Sequence, residues 1–181
     1  MVNVLTELQG LTPVRLYILC GLPFAGKSTL ARELAKTHDL AYVAMDAINT
    51  ERGLGLQGDA ISEEDWDITY QEAYRRIDSF LTQDKSVIYD APSFTREQRD
   101  QLRAIAHRHG MPAKVIFVDV PESVIRERWL QNRRTGNRFD VRDDDFALVV
   151  DNFQSPTDEE DVMRYDQTLP VNEWVHQVFR L

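Results

Sequence analysis

The chain has 181 residues, 43% hydrophobic and 28% charged, with a formal net charge of −9 at pH 7. That length and balance fit one domain, residues 1–181, with a sizeable core, and exclude a disordered or fibrous polypeptide. Net negative charge argues against long-range attraction to a polynucleotide, and a single cysteine, Cys20, excludes an internal disulfide.

No apolar run approaches the roughly eighteen residues needed to cross a bilayer. The opening MVNVLTELQG lacks the basic and apolar regions of a signal peptide, so a cytoplasmic protein without membrane association is expected. Residues 14 to 20 form a β-branched and aromatic run closed by Gly21, which reads as a buried strand ending in a turn. Cys20 lies in that run and reads as a core thiol. Leu30, Ala31, Leu34 and Ala35 repeat at helical spacing over 27 to 38, and 41 to 45 make a second short strand.

Residues 46 to 61 are polar and read as loop. Gly53, Gly55 and Gly58 mimic a dinucleotide fingerprint, but a polar stretch separates them from the strand that the fingerprint requires. Ser62 and Asp65 then open a long amphipathic helix whose aromatic stripe reads as core. A third strand is expected at 85 to 91, a helix from Thr95 to His109 stopped by Gly110, and a fourth strand at 113 to 120. Pro121 opens an arginine-rich helix to about Arg134, and a further helix is expected at 143 to 153. SPTDEED reads as loop, 163 to 169 as the last strand and 171 to 180 as a closing helix. Strands alternating with helices predict an α/β fold with a parallel sheet covered on both faces.

The strongest chemical signal is Gly21-Leu22-Pro23-Phe24-Ala25-Gly26-Lys27-Ser28, a match to G-x-x-x-x-G-K-[ST] between the first strand and the first helix. Backbone amides there can meet triphosphate oxygens only if no side chain on Gly26 obstructs the approach. Lys27 supplies a point charge for the terminal phosphates, and the Ser28 hydroxyl is a natural Mg²⁺ ligand. Gly21, Pro23, Ala25, Gly26, Lys27, Ser28 and Thr29 are therefore the expected nucleotide-binding set.

In an open parallel sheet, ligands sit beyond the carboxyl ends of the strands. Asp46 follows the second strand and Asp90 ends the third. A hydroxyl kinase needs an acceptor for the hydroxyl proton and a carboxylate near the metal. Asp46 is the candidate base and metal partner of Ser28, and Asp90 the second catalytic candidate; the bland reading makes each a turn or cap residue. Asp119 reads as a structural turn before Pro121.

Between residues 126 and 142, Arg126, Arg128, Arg133, Arg134, Arg138 and Arg142 face only Glu127 and Asp140. Such a segment suits a lid over phosphates, about 130 to 142, with Arg133 catalytic and Arg128 and Arg134 on the nucleotide. A solvated helix of paired arginines is the alternative. Arg96, Arg99 and Arg103 are expected at the surface.

GLPFAGKSTLARELA, AMDAINTERG, VIYDAPSFTREQRDQLRAIA, VIFVDVPESVIRERWLQNRR and NFQSPTDEE together resemble the AAA-domain kinase-like P-loop proteins. That group includes polynucleotide 5′-kinase domains, chloramphenicol phosphotransferase and zeta-toxin-like kinases, with gluconate and shikimate kinases as cousins. The resemblance covers nearly the whole chain and implies a five-stranded sheet of order 2-3-1-4-5, Asp46 at the base position and a lid from Arg128 to Arg138. Polynucleotide kinases commonly carry arginine where this chain has Asn49, with Arg52 as a possible substitute. The leading expectation is an ATP- and Mg-dependent kinase of a small hydroxyl compound. A polynucleotide 5′-hydroxyl kinase and a non-kinase ATP-binding regulatory module are the alternatives. Neither the acceptor nor the oligomeric state is legible.

Overall fold

In a computed structural model that describes residues 15–55, 60–136 and 141–179, strands and helices alternate along the chain. The strands are β1 (Leu16–Cys20), β2 (Ala41–Ala44), β3 (Val87–Asp90), β4 (Ala113–Val118) and β5 (Val162–Tyr165). The helices are α1 (Lys27–His38), α2 (Met45–Glu51), α3 (Glu63–Thr82), α4 (Arg96–Arg108), α5 (Glu122–Thr135), α6 (Asp143–Asp151) and α7 (Val171–Val178). The sheet has five strands, every pairing parallel as the strand–helix alternation predicts, in the order β2-β3-β1-β4-β5 that the family resemblance implies.

Because helices cover both faces, the strands are apolar on both sides rather than alternating with polar residues. In β1, Leu16, Ile18 and Cys20 enter a core shared with α3 and α4, while Leu19 enters the opposite core with α1, α5, α6 and α7. Burial pushes the Cys20 thiol up to about 11 against the nearby Arg99 and Lys27 charges, consistent with an inert core residue.

Local signals set several boundaries. Ser62 accepts a hydrogen bond from the Asp65 amide at 3.1 Å to open α3, and Thr95 and Gln98 form a reciprocal capping box at α4. At the other end of α5, Gly136 takes the left-handed conformation with φ 63°.

Three expectations need correction. Residues 45 to 51 fold as α2 rather than loop: Met45 and Ile48, three apart, are buried, and Asp46 sits in the first turn where its charge suits the helix dipole. The last strand ends at Tyr165, because Gln167 turns the chain at φ 64° before Pro170 opens α7. Gly58 lies outside the described residues.

Arg99 is also not at the surface. It is wholly buried, on the face of α4 that carries Leu102, Ile105 and Ala106. Its guanidinium donates to both Glu160 carboxylate oxygens at 2.6 and 3.1 Å and to the Ser93 carbonyl at 3.0 Å. Burial there is possible only because the charge is paired bidentately. Arg96 and Arg103 remain more accessible, both paired with Asp100. Among the described residues no helix is long and apolar enough to cross a membrane.

Candidate active site

The glycine-rich loop runs from the end of β1 into α1. A Cβ on Gly21 would lie 2.7 Å from the Val118 carbonyl oxygen, and φ is +146° there, so β1 and β4 can pack this closely only with glycine. Gly26 caps α1 in the left-handed region with φ 100°. Its added Cβ would sit 2.9 Å from the Gln167 amide nitrogen. No side chain caps α1, and its first turn holds no acidic residue. The first-turn amides of a helix have no intrahelical acceptor, so this end offers donors and positive potential to an anion.

Lys27 is buried and donates to the carbonyls of Gly21 and Leu22 at 3.0 and 2.8 Å. Burial lowers its pKa, while the charges of Asp90, Cys20 and Asp46 act to raise it. From the other side the loop is braced by residues far away in sequence. Gln167 donates to the Ala25 carbonyl at 2.6 Å, and Arg128 donates to Gln167 at 2.7 Å and to the Phe24 and Ala25 carbonyls at 3.3 and 3.5 Å. Phe24 itself has a positive φ of 63°, a strained conformation that this bracing helps to hold. Pro23 and Ala25 are buried, whereas Thr29 is exposed.

A pocket of about 220 Å³ opens beside the start of α1, lined in part by Ser28, Arg32, Tyr42, Asp46 and Asp90. The sheet explains the grouping. Ala44 pairs with Asp90 in register, so β2 and β3 end side by side and α2 starts immediately above them. Tyr42, one pleat earlier on β2, donates to the Asp90 carboxylate at 2.6 Å. Desolvation and the Asp90 charge push the Asp46 carboxyl above its ordinary value, against the pull of Lys27 and Arg32. Desolvation and the same Asp90 charge raise the Tyr42 phenol.

The arginine segment is largely engaged. Arg133 lies over the Trp129 ring at 4.3 Å and hydrogen-bonds Asp143 and, at 3.3 Å, the Val141 carbonyl. Trp129 and Phe146 stack at 4.2 Å, joining α5 to α6. Arg126 pairs with Glu122, and Arg134 is exposed on the last turn of α5. Arg138 and Asp140, within the expected lid, lie outside the described residues. Asn49 is buried and accepts from Thr69 at 2.7 Å. Arg52 is tied to Asp65 and Thr69, so it does not stand in for a pocket arginine at position 49.

The family model described as AAA domain matches residues 16–156. The chain belongs to this AAA-domain family. No curated protein gives a significant match by sequence. Among solved structures, an unliganded sugar kinase from Janibacter sp. HTCC2649 is similar at a TM-score of 0.66 and 20% identity, over 91% of this chain and 94% of that one. An APS kinase from Mycobacterium tuberculosis in complex with AMPPNP and APS gives 0.63 and 17%, over 93% and 96%. Kti12 from Chaetomium thermophilum in complex with ADP-AlF3 gives 0.70 and 19%, over 90% and 95%. At such identities the likeness establishes a shared fold.

The structure thus brings Lys27, Ser28, Asp46 and Asp90 to one place, and sets Arg128 against the glycine-rich loop. It adds Arg32, Tyr42 and Gln167, which the sequence reading passed over. Arg32 was findable, because it follows Ser28 by four residues on α1 and so shares its face. Tyr42 and Gln167 carried no local signal.

Proposed function

We propose that the chain is an ATP- and Mg²⁺-dependent kinase that transfers the γ-phosphoryl group to a hydroxyl of a small molecule. One observation carries the reading: the uncapped start of α1, which holds the buried Lys27, opens through Ser28 onto the same pocket as Asp46 and Asp90. At about 220 Å³ this pocket suits an acceptor smaller than a drug-sized ligand. The family membership and the kinases among its structural relatives agree with a nucleotide-dependent transferase.

In this reading the amides from Gly26 to Thr29 receive the phosphates, and Lys27 swings from its two loop carbonyls to the β and γ oxygens. Asp46 accepts the proton of the acceptor hydroxyl. Asp90, held by Tyr42, shapes the field around the transferring group. Arg128 braces the loop carbonyls so that the amides on the opposite side keep their aim, and Arg133 and Arg134 provide positive charge at the end of α5. The donors available for magnesium are hard oxygens, the Ser28 hydroxyl and the Asp46 carboxylate, and among the described residues no cluster of three His, Cys, Asp or Glu competes for it. Such a sparse oxygen set suits Mg²⁺, which keeps water and phosphate ligands and, when bound, neutralises phosphate charge.

The test is acceptor-dependent ADP release across a panel of hydroxyl compounds, for the wild type and Asp46→Asn. The variant should retain ATP affinity and lose about 10²-fold in acceptor-dependent turnover. Unchanged turnover removes Asp46 from the mechanism. Tight ATP binding with no acceptor response in any member of the panel favours the regulatory-module reading.

A further inference from the structure

The pocket holds one charge that the proposed transfer leaves unused. Arg32 follows Ser28 by one helical turn of α1, and both line the cavity with Tyr42, Asp46 and Asp90. Ser28 marks the phosphate end. Arg32 makes no hydrogen bond or ion pair with any described residue. Most other described arginines are committed: Arg52, Arg75, Arg76, Arg99, Arg126 and Arg164 each hold a carboxylate.

An exposed arginine is ordinarily just solvated, but this one shares a cavity with two carboxylates and bonds to neither. Its charge reaches Asp46 through space, opposing the effect of Asp90. Guanidinium carries five donors and no acceptor, in a planar fork that matches the two oxygens of a carboxylate or phosphate. A neutral polyol would find its partners in Asp46 and Asp90, leaving that fork unmatched. An anionic acceptor, by contrast, is repelled from the carboxylate end and held at the Arg32 end, which fixes its direction in the pocket.

We propose that Arg32 recognises an oxyanion group on the acceptor, so that the substrate class is a hydroxyl compound bearing a carboxylate, sulfate or phosphate. This deepens the kinase reading and rests on it. The anion pairs with the guanidinium of Arg32, and that contact leaves the hydroxyl toward Asp46. Arg32 acts on acceptor binding and orientation, while the proton passes to Asp46.

The experiment loads the full chain with AMPPNP and Mg²⁺, which occupies the phosphate loop, and then titrates inorganic sulfate by calorimetry. Saturable sulfate binding is expected, weakened by about tenfold or more in Arg32→Gln, partly kept in Arg32→Lys and unchanged in Arg75→Gln. AMPPNP affinity should be equal in all four proteins, which shows that the variants fold. Sulfate that does not bind the loaded wild type, or binds Arg32→Gln equally well, overturns the proposal and leaves the kinase reading standing. Failure of AMPPNP itself to bind overturns both. A second arm compares glycerol, glycerate and glycerol 3-phosphate as acceptors and as competitors of sulfate. Competition by glycerate or by glycerol 3-phosphate supports the proposal and tells carboxylate from phosphate, and equal competition by glycerol refutes it.

Discussion

Glu160→Gln tests the buried pair under the site. Arg99 and Glu160 are 0% and 1% exposed, and their two hydrogen bonds tie α4 to the turn before β5, with the Ser93 carbonyl as a third anchor. Removing one charge leaves the other buried without a counter-ion, at a cost of about 3–5 kcal/mol. With the unfolding entropy usual for a domain of this size, that lowers the melting temperature by about 8–13 °C. Thermal unfolding followed by far-UV circular dichroism at pH 7 reads this directly. Arg99→Met should cost a similar amount, while Arg99→Met with Glu160→Leu should recover most of the loss, since neither charge is then stranded. The pH dependence supplies a further check. Burial alone would raise the Glu160 carboxyl, but the hydrogen bonds from Arg99 and the Thr157 amide, with the charges of Arg99 and Arg96, hold it below its ordinary 4.5. A depressed folded pKa means stability that is complete above the unfolded value and lost as pH falls through the folded one. The advantage of the wild type over Glu160→Gln should therefore shrink in acid below about pH 4.5. A Glu160→Gln melt within about 3 °C of wild type at pH 7 would refute the pair as a stabilising link.

Lys27→Met should weaken ATP at least about tenfold while adenosine binding is little changed, because only the phosphates lose a charge partner; equal losses for both ligands would point to a damaged fold. Gly26→Val should abolish nucleotide binding, since its Cβ would meet the Gln167 amide at 2.9 Å, whereas Gly136→Ala, with open space around it, should cost only about 1 kcal/mol and spare binding. In the metal-free chain the Asp46 carboxyl should titrate above the ordinary carboxylate range, followed by carboxyl 13C NMR, and adding Mg²⁺ with AMPPNP should pull it down as the cation pairs with the carboxylate; a titration that the addition leaves unmoved would remove Asp46 from the metal site. Tyr42→Phe removes the 2.6 Å bond to Asp90 and should lower kcat about three- to tenfold with ATP affinity intact; an unchanged kcat would show that Asp90 needs no support.

Local chemistry was legible from residues alone. The β1 run, the G-x-x-x-x-G-K-S loop, the Ser62 and Thr95 caps and the Gly110 stop, where φ is 67°, act within a few residues of themselves, through backbone hydrogen bonds and dihedral limits that composition reveals. Strand–helix alternation then restricts the fold to a parallel α/β sheet, and the placement of Asp46 and Asp90 at strand ends follows from it. Tertiary structure decided the rest. Arg99 looks like any helical arginine until Glu160, 61 positions away, meets it inside the core. Tyr42 reaches Asp90 across 48 positions because β2 and β3 are neighbours in the sheet, and Gln167 reaches Ala25 across 142 because the segments that follow β5 and β1 leave the same carboxyl edge on either side of β4. Pairings of that kind depend on which distant surfaces pack together, and a linear pattern of residue types carries no term for that choice.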